Sequence, residues 1–427
     1  MKSAQIKPSG LIFVKPLNGV AHILKLNINA LGSKGDGVAE SPKGLIHMAF
    51  TLPGEEVERL DDGTAHVLKA SQDRVNPICK HFTICGGCAM QHAKDALIAR
   101  WKTENAANAL RHAGLKNAQI NYIPAHGAGR RRINLHIRRQ GRNIIAGFMR
   151  AKSHALVDID HCPLLVPELQ DAFHIARVIG AALGGPLKST DLQITSCLGG
   201  LDVDIRGHGK LSDKAHMELA QAFTELKLAR LANHGEILLE REAPTLRIGK
   251  ALVVMPPGGF LQATELAEQI MTTQAMTALE GASRIIDLFC GIGPFALRLA
   301  ETTPVTASDL DAPAIAALTR AIHHAKGLKP ITALRRDLFR LPFSLRELEG
   351  FDAAIIDPPR AGAMAQTHML AQSGLKRIFA VGCDAASFAR DAAILCEAGW
   401  HMGPVTVIDQ FRYSAHMELT ALFNKGK

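Results

Sequence analysis

The sequence predicts an α/β fold in which a doubly wound parallel sheet fills the C-terminal part of the chain. Three observations support this prediction. Short apolar runs alternate with helix-like segments from residue 285 onward, which is typical of strand–helix–strand units. The first of these runs, within 285–294, opens into a Gly-x-Gly turn before a helix-like segment. Polar or reactive residues end the later runs, where open parallel sheets bind their ligands.

The 427 residues of the chain are enough for two or three domains. Residues 22–75 predict a small β domain, because short apolar segments at 44–49, 56–59 and 64–69 are separated by glycine-rich turns. This pattern is typical of a five-stranded OB-type barrel, a fold that often binds oligonucleotides. Barrels of this size also serve other functions, so the pattern indicates a fold more strongly than an activity.

Three closely spaced cysteines follow this domain: Cys79, Cys85 and Cys88. Eight cysteines are few for a disulfide scaffold of this length, so we interpret them as ligands, nucleophiles or free thiols. Cys162 is the best candidate for the fourth thiolate that a tetrahedral zinc site or a cubane cluster needs. Zinc ribbons usually carry two Cys-x-x-Cys pairs, so the spacing favours a 4Fe-4S cluster and leaves zinc as the alternative. His81 and His92 are alternative ligands.

Residues 129–157 contain no carboxylate, and their basic residues are Arg130, Arg131, Arg132, Arg138, Arg139, Arg142, Arg150 and Lys152. Within this segment Ile133, Leu135 and Ile137 alternate with polar residues, which indicates a strand with one solvated face. Because the chain also has a net charge of +9, we expect this face to bind a phosphate backbone. An ordinary solvated surface is the alternative.

Elsewhere in the middle of the chain, the residue patterns indicate helices and strands, and no motif there indicates a chemical function. The predicted elements are helices over 94–115 and 212–232 and a hairpin with strands at 192–197 and 201–205. Further along, residues 256–264 form a loop with two prolines and two glycines that presents Phe260 and Gln262. A plain linker between domains is the other interpretation of this loop.

Four aspartates are expected at the ligand-binding edge of the C-terminal sheet. Asp287 lies in the first strand, and Asp309 ends the second, where dinucleotide-type folds place an acid that accepts hydrogen bonds from ribose. Asp337 follows a third strand, near the expected position of an adenine. Asp357 ends the fourth and precedes two prolines, which fix the backbone as a rigid shelf for a flat substrate. The 285–294 turn alone is weak evidence, because ordinary strand-to-helix turns share it.

Two reactive side chains complete this predicted crevice. Cys383 ends the fifth strand at a helix N-terminus, where the helix dipole is expected to lower the pKa of the thiol and favour a nucleophilic thiolate. A buried core cysteine is the alternative, and Cys290 and Cys396 are weaker candidates. Glu418 stands in an apolar strand, 417–423, so it either faces solvent or is a base held in the site.

The sequence predicts no membrane segment. No apolar run approaches the roughly 20 residues that span a bilayer. Lysines and a proline interrupt the first 15 residues, which therefore lack the apolar core of a signal peptide. We expect a cytoplasmic protein.

Taken together, these motifs resemble the RNA (uracil-5-)-methyltransferase family, in particular its iron–sulfur branch that modifies 23S ribosomal RNA. The family order comprises the cysteine set, the glycine turn, Asp357-Pro-Pro-Arg360, Gly382-Cys383 and His416-Met-Glu418, and the resemblance extends over residues 20–425. It implies an OB-type TRAM domain at 14–75 and a mixed α+β domain with the cluster at 76–92 and 124–258. A Rossmann-like S-adenosylmethionine-dependent methyltransferase domain would comprise 93–123 and 259–427.

The resemblance also implies the roles of individual residues. Cys383 and Glu418 would be catalytic, and the four cysteines Cys79, Cys85, Cys88 and Cys162 would hold the 4Fe-4S cluster. The cofactor and base site would be lined by Gln262, Phe289, Gly291, Gly293, Asp309, Asp337 and Asp357. The expected partner is RNA, with neither DNA nor a membrane, and the expected state is a monomer. The chain departs from the family pattern at Pro294, Gly382, Asp384, Ala385 and Arg412.

The implied mechanism follows from the chemistry of uracil, whose C5 is a poor nucleophile. Addition of Cys383 to C6 would activate C5 for methylation by S-adenosylmethionine, and Glu418 would then remove the C5 proton. The base must be extruded or already unpaired. Ribosomal RNA is favoured because transfer-RNA members generally lack the cluster and TRAM portions, and the cluster is expected to be structural.

Three other functions remain as alternatives: a transfer-RNA uridine C5-methyltransferase, a cytosine-C5 methyltransferase and a non-catalytic iron–sulfur RNA-binding protein. Cytosine enzymes would place a Pro-Cys nucleophile where this chain has Asp357-Pro358-Pro359-Arg360. A binding module would not bind S-adenosylmethionine.

Overall fold

The computed structural model describes residues 24–151, 153–187 and 190–426. Contacts divide them into two compact units. The first contains the residues up to Gly32 and Asp36–Arg74, and the second contains Ser33–Gly35 and the residues from Val75 onward. Each unit is described separately below.

The strands of the first unit are β1 (Leu24–Asn27), β2 (Ala30–Leu31), β3 (Gly37–Ser41), β4 (Gly44–Met48), β5 (Glu56–Arg59) and β6 (Ala65–Lys69). They form two three-stranded antiparallel sheets, in the orders β1-β5-β6 and β2-β3-β4. One apolar core serves both sheets and contains Leu26, Ile28, Ala39, Met48 and Val57. The predicted small β domain is confirmed, with six short strands in the described residues instead of five. Its predicted beginning, residues 14–23, lies outside the described residues.

The second unit contains the remaining elements. Its first strands are β7 (Ile120–Pro124), β8 (Arg132–Gln140), β9 (Asn143–Met149), β10 (Leu156–Asp158), β11 (Thr190–Cys197), β12 (Gly200–Arg206), β13 (Arg230–Asn233), β14 (Glu236–Glu240), β15 (Thr245–Ile248) and β16 (Ala251–Val254). The later strands are β17 (Ile285–Leu288), β18 (Val305–Asp309), β19 (Ile331–Arg335), β20 (Ala353–Ile356), β21 (Arg377–Gly382), β22 (Trp400–Met402), β23 (Val405–Asp409) and β24 (Glu418–Lys425).

The helices of this unit are α1 (Asp95–His112), α2 (Ala172–Leu183), α3 (Asp213–Glu225), α4 (Glu265–Ala278), α5 (Pro294–Leu299), α6 (Ala312–His324), α7 (Leu345–Leu348), α8 (Met364–Gln372) and α9 (Ala385–Glu397). A short 3-10 helix covers Pro167–Leu169. Within the described part of the chain, none of these helices is long and apolar enough to span a membrane.

A seven-stranded sheet forms the middle of the chain, in the order β10-β9-β8-β11-β12-β13-β14. In β8 the alternation predicted from the sequence is confirmed, because Ile133, Leu135 and Ile137 are buried in the core. The predicted hairpin is also confirmed, since β11 and β12 pair antiparallel through the turn at Gly199. This sheet carries the predicted basic strands.

The helix predicted over 212–232 is too long. The structure ends α3 at Glu225, and residues 230–233 form β13, which pairs parallel with β12. Lys227 has a left-handed backbone with φ of 52°, which a helix cannot contain. The apolar run that follows is short and can form a helix or a buried strand with equal ease, so pairing with the sheet decides its conformation.

A nine-stranded sheet dominates the C-terminal part, in the order β19-β18-β17-β20-β21-β24-β23-β7, with β22 paired to β24. The strands from β19 to β21 are parallel, whereas β24 runs antiparallel to both β21 and β23. Apolar cores cover both faces. The predicted doubly wound sheet is therefore confirmed.

The topology gathers several strand ends at one edge. Because β17, β18, β20 and β21 are parallel, their carboxyl ends lie together. Because β24 is antiparallel to β21, with Gly382 opposite Leu419, the beginning of β24 lies at the same edge. Residues at these strand ends therefore meet in one crevice although they are far apart in sequence.

Candidate active site

The turn after β17 is shaped by backbone conformations that few residues adopt. Phe289, Gly291 and Gly293 all have positive φ, of 64°, 53° and 87°. At Gly293 a Cβ would also come within 2.6 Å of the Leu318 side chain, so only glycine fits there. A non-glycine residue such as Phe289 in this region is strained, and such strain is concentrated at ligand-binding sites.

Asp309 fixes this turn from the neighbouring strand. Its carboxylate accepts hydrogen bonds from the backbone N–H groups of Gly291 at 2.8 Å and Asp311 at 2.9 Å. The ribose-binding role of Asp309 stays a prediction, and the structure shows that its carboxylate supports this turn. A carboxylate has about four acceptor positions, so these two bonds leave capacity for a ligand.

The predicted adenine position lies at the end of β19. Asp337 accepts hydrogen bonds from the N–H groups of Phe339 and Arg340 at 3.0 and 3.2 Å, so it shapes the local turn. The ring of Phe339 lies 5.4 Å from that of Phe289, and the Phe339 side chain is 48% exposed. The pair presents an apolar surface beside the glycine turn, which suits a flat ring system.

Asp287 and Asp357 lie deeper in the crevice. Asp287 is fully buried, and neither of its carboxyl oxygens has a hydrogen-bond partner in the described residues. Burial, with the nearby Asp357 and Asp309, raises the pKa of Asp287 to about 8. Burial and Asp309 raise the pKa of Asp357 to about 7. Acids that raise one another's pKa in this way form a site that favours a positively charged ligand.

Cys383 follows β21 directly and is half-buried. Burial raises the pKa of its thiol to about 11, and the nearby carboxyl groups of Glu418 and Asp357 contribute. The predicted lowering of this pKa by the helix dipole is therefore wrong. Asp384 caps α9 and accepts hydrogen bonds from the N–H groups of Ala386 and Ser387 at 3.1 Å, which occupies the positive end of the helix.

Glu418 is the first residue of β24 and is only 4% exposed, so the solvent-facing alternative is excluded. Burial, together with Asp357, raises the pKa of its carboxyl group to about 8. Its Oε1 accepts a hydrogen bond from Nε2 of Gln410 at 3.0 Å. Glu418, Cys383 and Asp357 are therefore brought together, as expected for the ends of adjacent strands.

Two buried side chains near Glu418 were not predicted from the sequence: Gln410 and Lys102. Gln410 contacts both Glu418 and Gln262. Lys102 of α1 is fully buried and donates hydrogen bonds to Asp409 at 2.5 Å and to the carbonyl groups of Phe411 and His416. A buried lysine within an ordinary amphipathic helix gives no sequence signal, because its acceptors lie some 300 positions away.

The four cysteines predicted as ligands line one cavity of about 230 Å³, together with Arg130 and other side chains. Burial raises the pKa of the Cys88 thiol to about 12, and burial also raises the pKa values of Cys85 and Cys162. Among the described residues, no three His, Cys, Asp or Glu side chains form a ready site for a single metal ion.

The basic residues predicted to bind a polyanion divide into two groups. Arg131 faces inward, where it donates hydrogen bonds to Glu268 at 2.6 Å and to the Gln262 carbonyl at 3.2 Å, so the prediction is wrong for this side chain. Arg138 and Arg139 also bind backbone carbonyl groups. Exposed side chains such as Arg142 and Arg150 remain candidates. Lys152 lies outside the described residues.

Comparison with known proteins relates this site to enzymes that modify RNA. Residues 243–426 match the sequence model of the family described as tRNA (Uracil-5-)-methyltransferase. An uncharacterized RNA methyltransferase of Brucella suis biovar 1 is 41% identical over 410 residues, which cover 94% of this chain and 98% of that protein. A 23S rRNA (uracil(1939)-C(5))-methyltransferase of Pectobacterium atrosepticum is 29% identical over 433 residues, which cover 94% and 93%.

The chain belongs to the RNA (uracil-5-)-methyltransferase family. A solved structure of a Pyrococcus abyssi tRNA (uracil-54, C5)-methyltransferase, in complex with S-adenosyl-L-homocysteine, is 21% identical, with a TM-score of 0.71, and the match covers 93% of this chain and 99% of that one. This similarity supports the fold. The enzymes of this RNA (uracil-5-)-methyltransferase family use S-adenosylmethionine, and the chain is accordingly an RNA methyltransferase that acts on C5 of uracil.

Proposed function

We propose that this enzyme methylates C5 of a uridine in 23S ribosomal RNA, with Cys383 as the nucleophile and Glu418 as the base. The observation that carries this proposal is the meeting of Cys383, Glu418 and Asp357 at the sheet edge beside the glycine turn. The similarity to a 23S ribosomal RNA enzyme over 94% of the chain supports the choice of RNA. With such a substrate, the enzyme would act in the cytoplasm, and we propose that it does so as a monomer.

S-adenosylmethionine would lie along the glycine turn, held by Phe289, Gly291, Gly293, Asp309 and Asp337. The residues present fit this cofactor, because Asp287 has two unpartnered buried oxygens and the surrounding acids favour a cation. When bound, it supplies to C5 a methyl group carried on a positively charged sulfur. The two proline residues after Asp357 keep this part of the site rigid.

The protein's own residues perform the remaining steps. The Cys383 thiolate forms a bond to C6 of uracil, and the electron pair of the C5–C6 double bond moves to C5 and the C4 carbonyl. After C5 has been methylated, the Glu418 carboxylate takes the C5 proton. The C5–H electron pair restores the C5–C6 double bond, and the C6–S bond breaks to return the Cys383 thiolate.

We further propose that Cys79, Cys85, Cys88 and Cys162 hold a structural 4Fe-4S cluster. A zinc ion binds its thiolates at about 2.3 Å, so its ligands must lie in mutual contact, whereas each cysteine of a cubane binds a different iron. A cavity of about 230 Å³ suits the larger group. Iron and acid-labile sulfide in the purified protein would support the cluster, and stoichiometric zinc without sulfide would contradict it.

The division into domains also remains a proposal. Residues 14–75 would be the TRAM domain that holds RNA, 76–92 and 124–258 the cluster domain, and 93–123 and 259–427 the methyltransferase domain. The pairing of β7 with β23 and the position of α1 against α9 support the assignment of 93–123 to the last of these.

The proposed function is tested with purified enzyme, S-adenosylmethionine, and transcripts of 23S ribosomal RNA and transfer RNA. We expect mass mapping to find 5-methyluridine in the ribosomal transcript only. The C383A variant should lose turnover by at least about a thousandfold while it still binds RNA, since it lacks the nucleophile. The E418Q variant should accumulate a covalent enzyme–RNA adduct.

The two variants separate the roles of the side chains. Normal turnover in C383A or E418Q would exclude the assignment of that residue. Methylation of transfer RNA instead of ribosomal RNA would show that the substrate is wrong while the chemistry is right. The C396A variant is a matched control, because Cys396 lies in α9 outside the crevice.

A further inference from the structure

Gln410 is a buried amide that connects three parts of the active site. It follows β23 and is 2% exposed. Its Oε1 accepts a hydrogen bond from the backbone N–H of Thr264 at 3.2 Å. Its Nε2 donates to Oε1 of Gln262 at 2.8 Å and to Oε1 of Glu418 at 3.0 Å. The Gln410 side chain therefore binds both the loop that contains Gln262 and strand β24, which begins with Glu418.

The direction of the Gln410 amide is fixed by its partners. A backbone N–H can only donate, so the oxygen of Gln410 must face Thr264 and its nitrogen must face the other two groups. Glu418 in its ionised form can only accept, which requires the same direction. The Thr264 N–H assigns the amide in either protonation state of Glu418.

The direction of Gln410 then determines that of Gln262. Because Gln410 donates to Oε1 of Gln262, that oxygen already accepts a hydrogen bond, and the Nε2 group of Gln262 points away from Gln410. The Gln262 backbone is held as well, since its carbonyl accepts from Arg131 at 3.2 Å and Arg131 is paired with Glu268. The Gln262 side chain is 5% exposed. What remains available to a ligand in the crevice is a donor.

We propose that Gln410 is a positioning residue that fixes Gln262 with its N–H groups toward the base and so selects uracil over cytosine. Position 4 of uracil carries a carbonyl, which accepts a hydrogen bond from Gln262, whereas cytosine carries an amino group there, which cannot. An amide free to rotate by 180° would accept either base, because its oxygen and nitrogen have nearly the same shape. The selection therefore depends on Gln410. This inference rests on the proposed function.

Gln410 also acts on Glu418, the proposed general base. The N–H of Gln410 stabilises the ionised form of Glu418 and so opposes the rise in its pKa that burial and Asp357 cause. Cys383 also faces Glu418, and Gln410 forms no hydrogen bond with this thiol. Loss of Gln410 should therefore change the pH dependence of proton removal from C5 as well as the preference for uracil over cytosine.

The experiment compares Q410E and Q410M with the unmodified enzyme. The probes are two RNA oligonucleotides that contain the mapped target site, with uridine or cytidine at the methylated position. In Q410E a carboxylate replaces the amide that faces Gln262, so Gln262 turns to donate to it and presents its oxygen to the nucleobase. We expect the ratio of the Kd for the cytidine RNA to that for the uridine RNA to fall by about tenfold or more, which corresponds to one lost base contact.

In Q410M the amide of Gln262 becomes free to rotate, so the same ratio should also fall. The midpoint of the pH–rate profile should move to higher pH, since Glu418 must lose its proton to act and its pKa is no longer lowered by Gln410. The Q274M variant is a matched control. Gln274 accepts a hydrogen bond from Thr420 of β24 and is outside the network of Gln410.

Binding of S-adenosylmethionine confirms that each variant is folded. The proposal is overturned if folded Q410E and Q410M keep the full preference for uridine RNA. If these variants fail to fold, the Q262E variant places a hydrogen-bond acceptor toward the nucleobase while Gln410 is unchanged. A retained preference of Q262E for uridine RNA overturns the proposal as well. Failure of the proposed function is a different result, in which the unmodified enzyme neither methylates uridine nor prefers uridine RNA.

Discussion

At the scale of single residues, four ionisable groups of the crevice hold their protons more tightly than usual. Burial raises the pKa values of Asp287, Asp357 and Glu418 to about 8, 7 and 8, and that of Cys383 to about 11. At neutral pH the Cys383 thiol is therefore protonated, and a thiol is a poor nucleophile. A positive charge near these groups would oppose each of these shifts.

We predict that S-adenosylmethionine lowers the pKa of the Cys383 thiol and that S-adenosylhomocysteine does not. The two ligands have almost the same shape, but only the first has a positively charged sulfur, which favours the thiolate. The measurement is the rate of alkylation of Cys383 as a function of pH, followed by mass spectrometry of its peptide. With S-adenosylmethionine the alkylation midpoint should move to lower pH.

Cys396 provides an internal reference for this measurement, since burial also raises its pKa but it lies in α9, outside the crevice. Its alkylation profile should be the same with either ligand. Equal profiles of Cys383 with the two ligands would mean that the charge of the ligand sulfur does not activate the Cys383 thiol.

At the scale of elements, the loop 411–417 between β23 and β24 determines the position of Glu418 at the start of β24. Lys102 of α1 donates to the carbonyl groups of Phe411 and His416 at 3.1 and 2.8 Å, on either side of this loop. Arg412 pairs with Asp95 at 3.0 Å. Lys102 is also paired with the fully buried Asp409, and burial lowers the pKa of Lys102.

We predict that K102M destabilises the second unit by about 3–5 kcal/mol, because it leaves the charge of Asp409 buried without its cation. The K102M/D409N double variant should lose less, since it removes both charges. The measurement is urea unfolding followed by tryptophan fluorescence. Both tryptophans of the chain, Trp101 and Trp400, are buried in this unit.

The exposed Lys116 follows α1, and its K116M variant is a control for the loss of a lysine. It should change stability by less than about 0.5 kcal/mol. Equal stability of K102M and K116M would show that the buried pair does not hold the loop.

At the scale of the whole second unit, the cysteine cavity and the active site are connected through the same loop. The backbone N–H groups of Ala89 and Met90, which follow Cys88, donate to the carbonyl of Tyr413 at 2.7 and 3.1 Å. Tyr413 has a left-handed backbone with φ of 65°, which needs support from its surroundings. Arg130, which lines the cysteine cavity, lies over the ring of Phe411 at 5.5 Å.

We predict that loss of the proposed 4Fe-4S cluster releases the loop 411–417 and lowers turnover. In C88A, or after removal of iron by a chelator, amide hydrogen exchange in 411–417 should increase, because the loop loses two supporting hydrogen bonds. S-adenosylmethionine binding at the glycine turn should change much less. The C197A variant is a control for loss of a cysteine outside the cavity, and unchanged exchange in 411–417 in C88A would disprove the connection.

Much of the fold and part of the site were accessible from the sequence because they depend on local patterns. The alternation in β8, the apolar runs of the parallel strands and the residues at their ends each predict an element and its place in a sheet. Resemblance then supplied roles for Cys383 and Glu418. The helix over 212–232 was wrong because its apolar run has no strict period, and pairing with β12 outweighs local preference.

By itself, therefore, the sequence determined a doubly wound sheet with a crevice of acids and a cysteine, and the enzyme family. Only the tertiary structure decided the electrostatics of that crevice. Whether the Cys383 pKa rises or falls depends on Asp384, Asp357 and Glu418 at their folded distances. The orientation of Gln262 is likewise set by Gln410, 148 positions away. Hydrogen bonds and burial of this kind act between atoms that meet only after folding, so no local pattern records them.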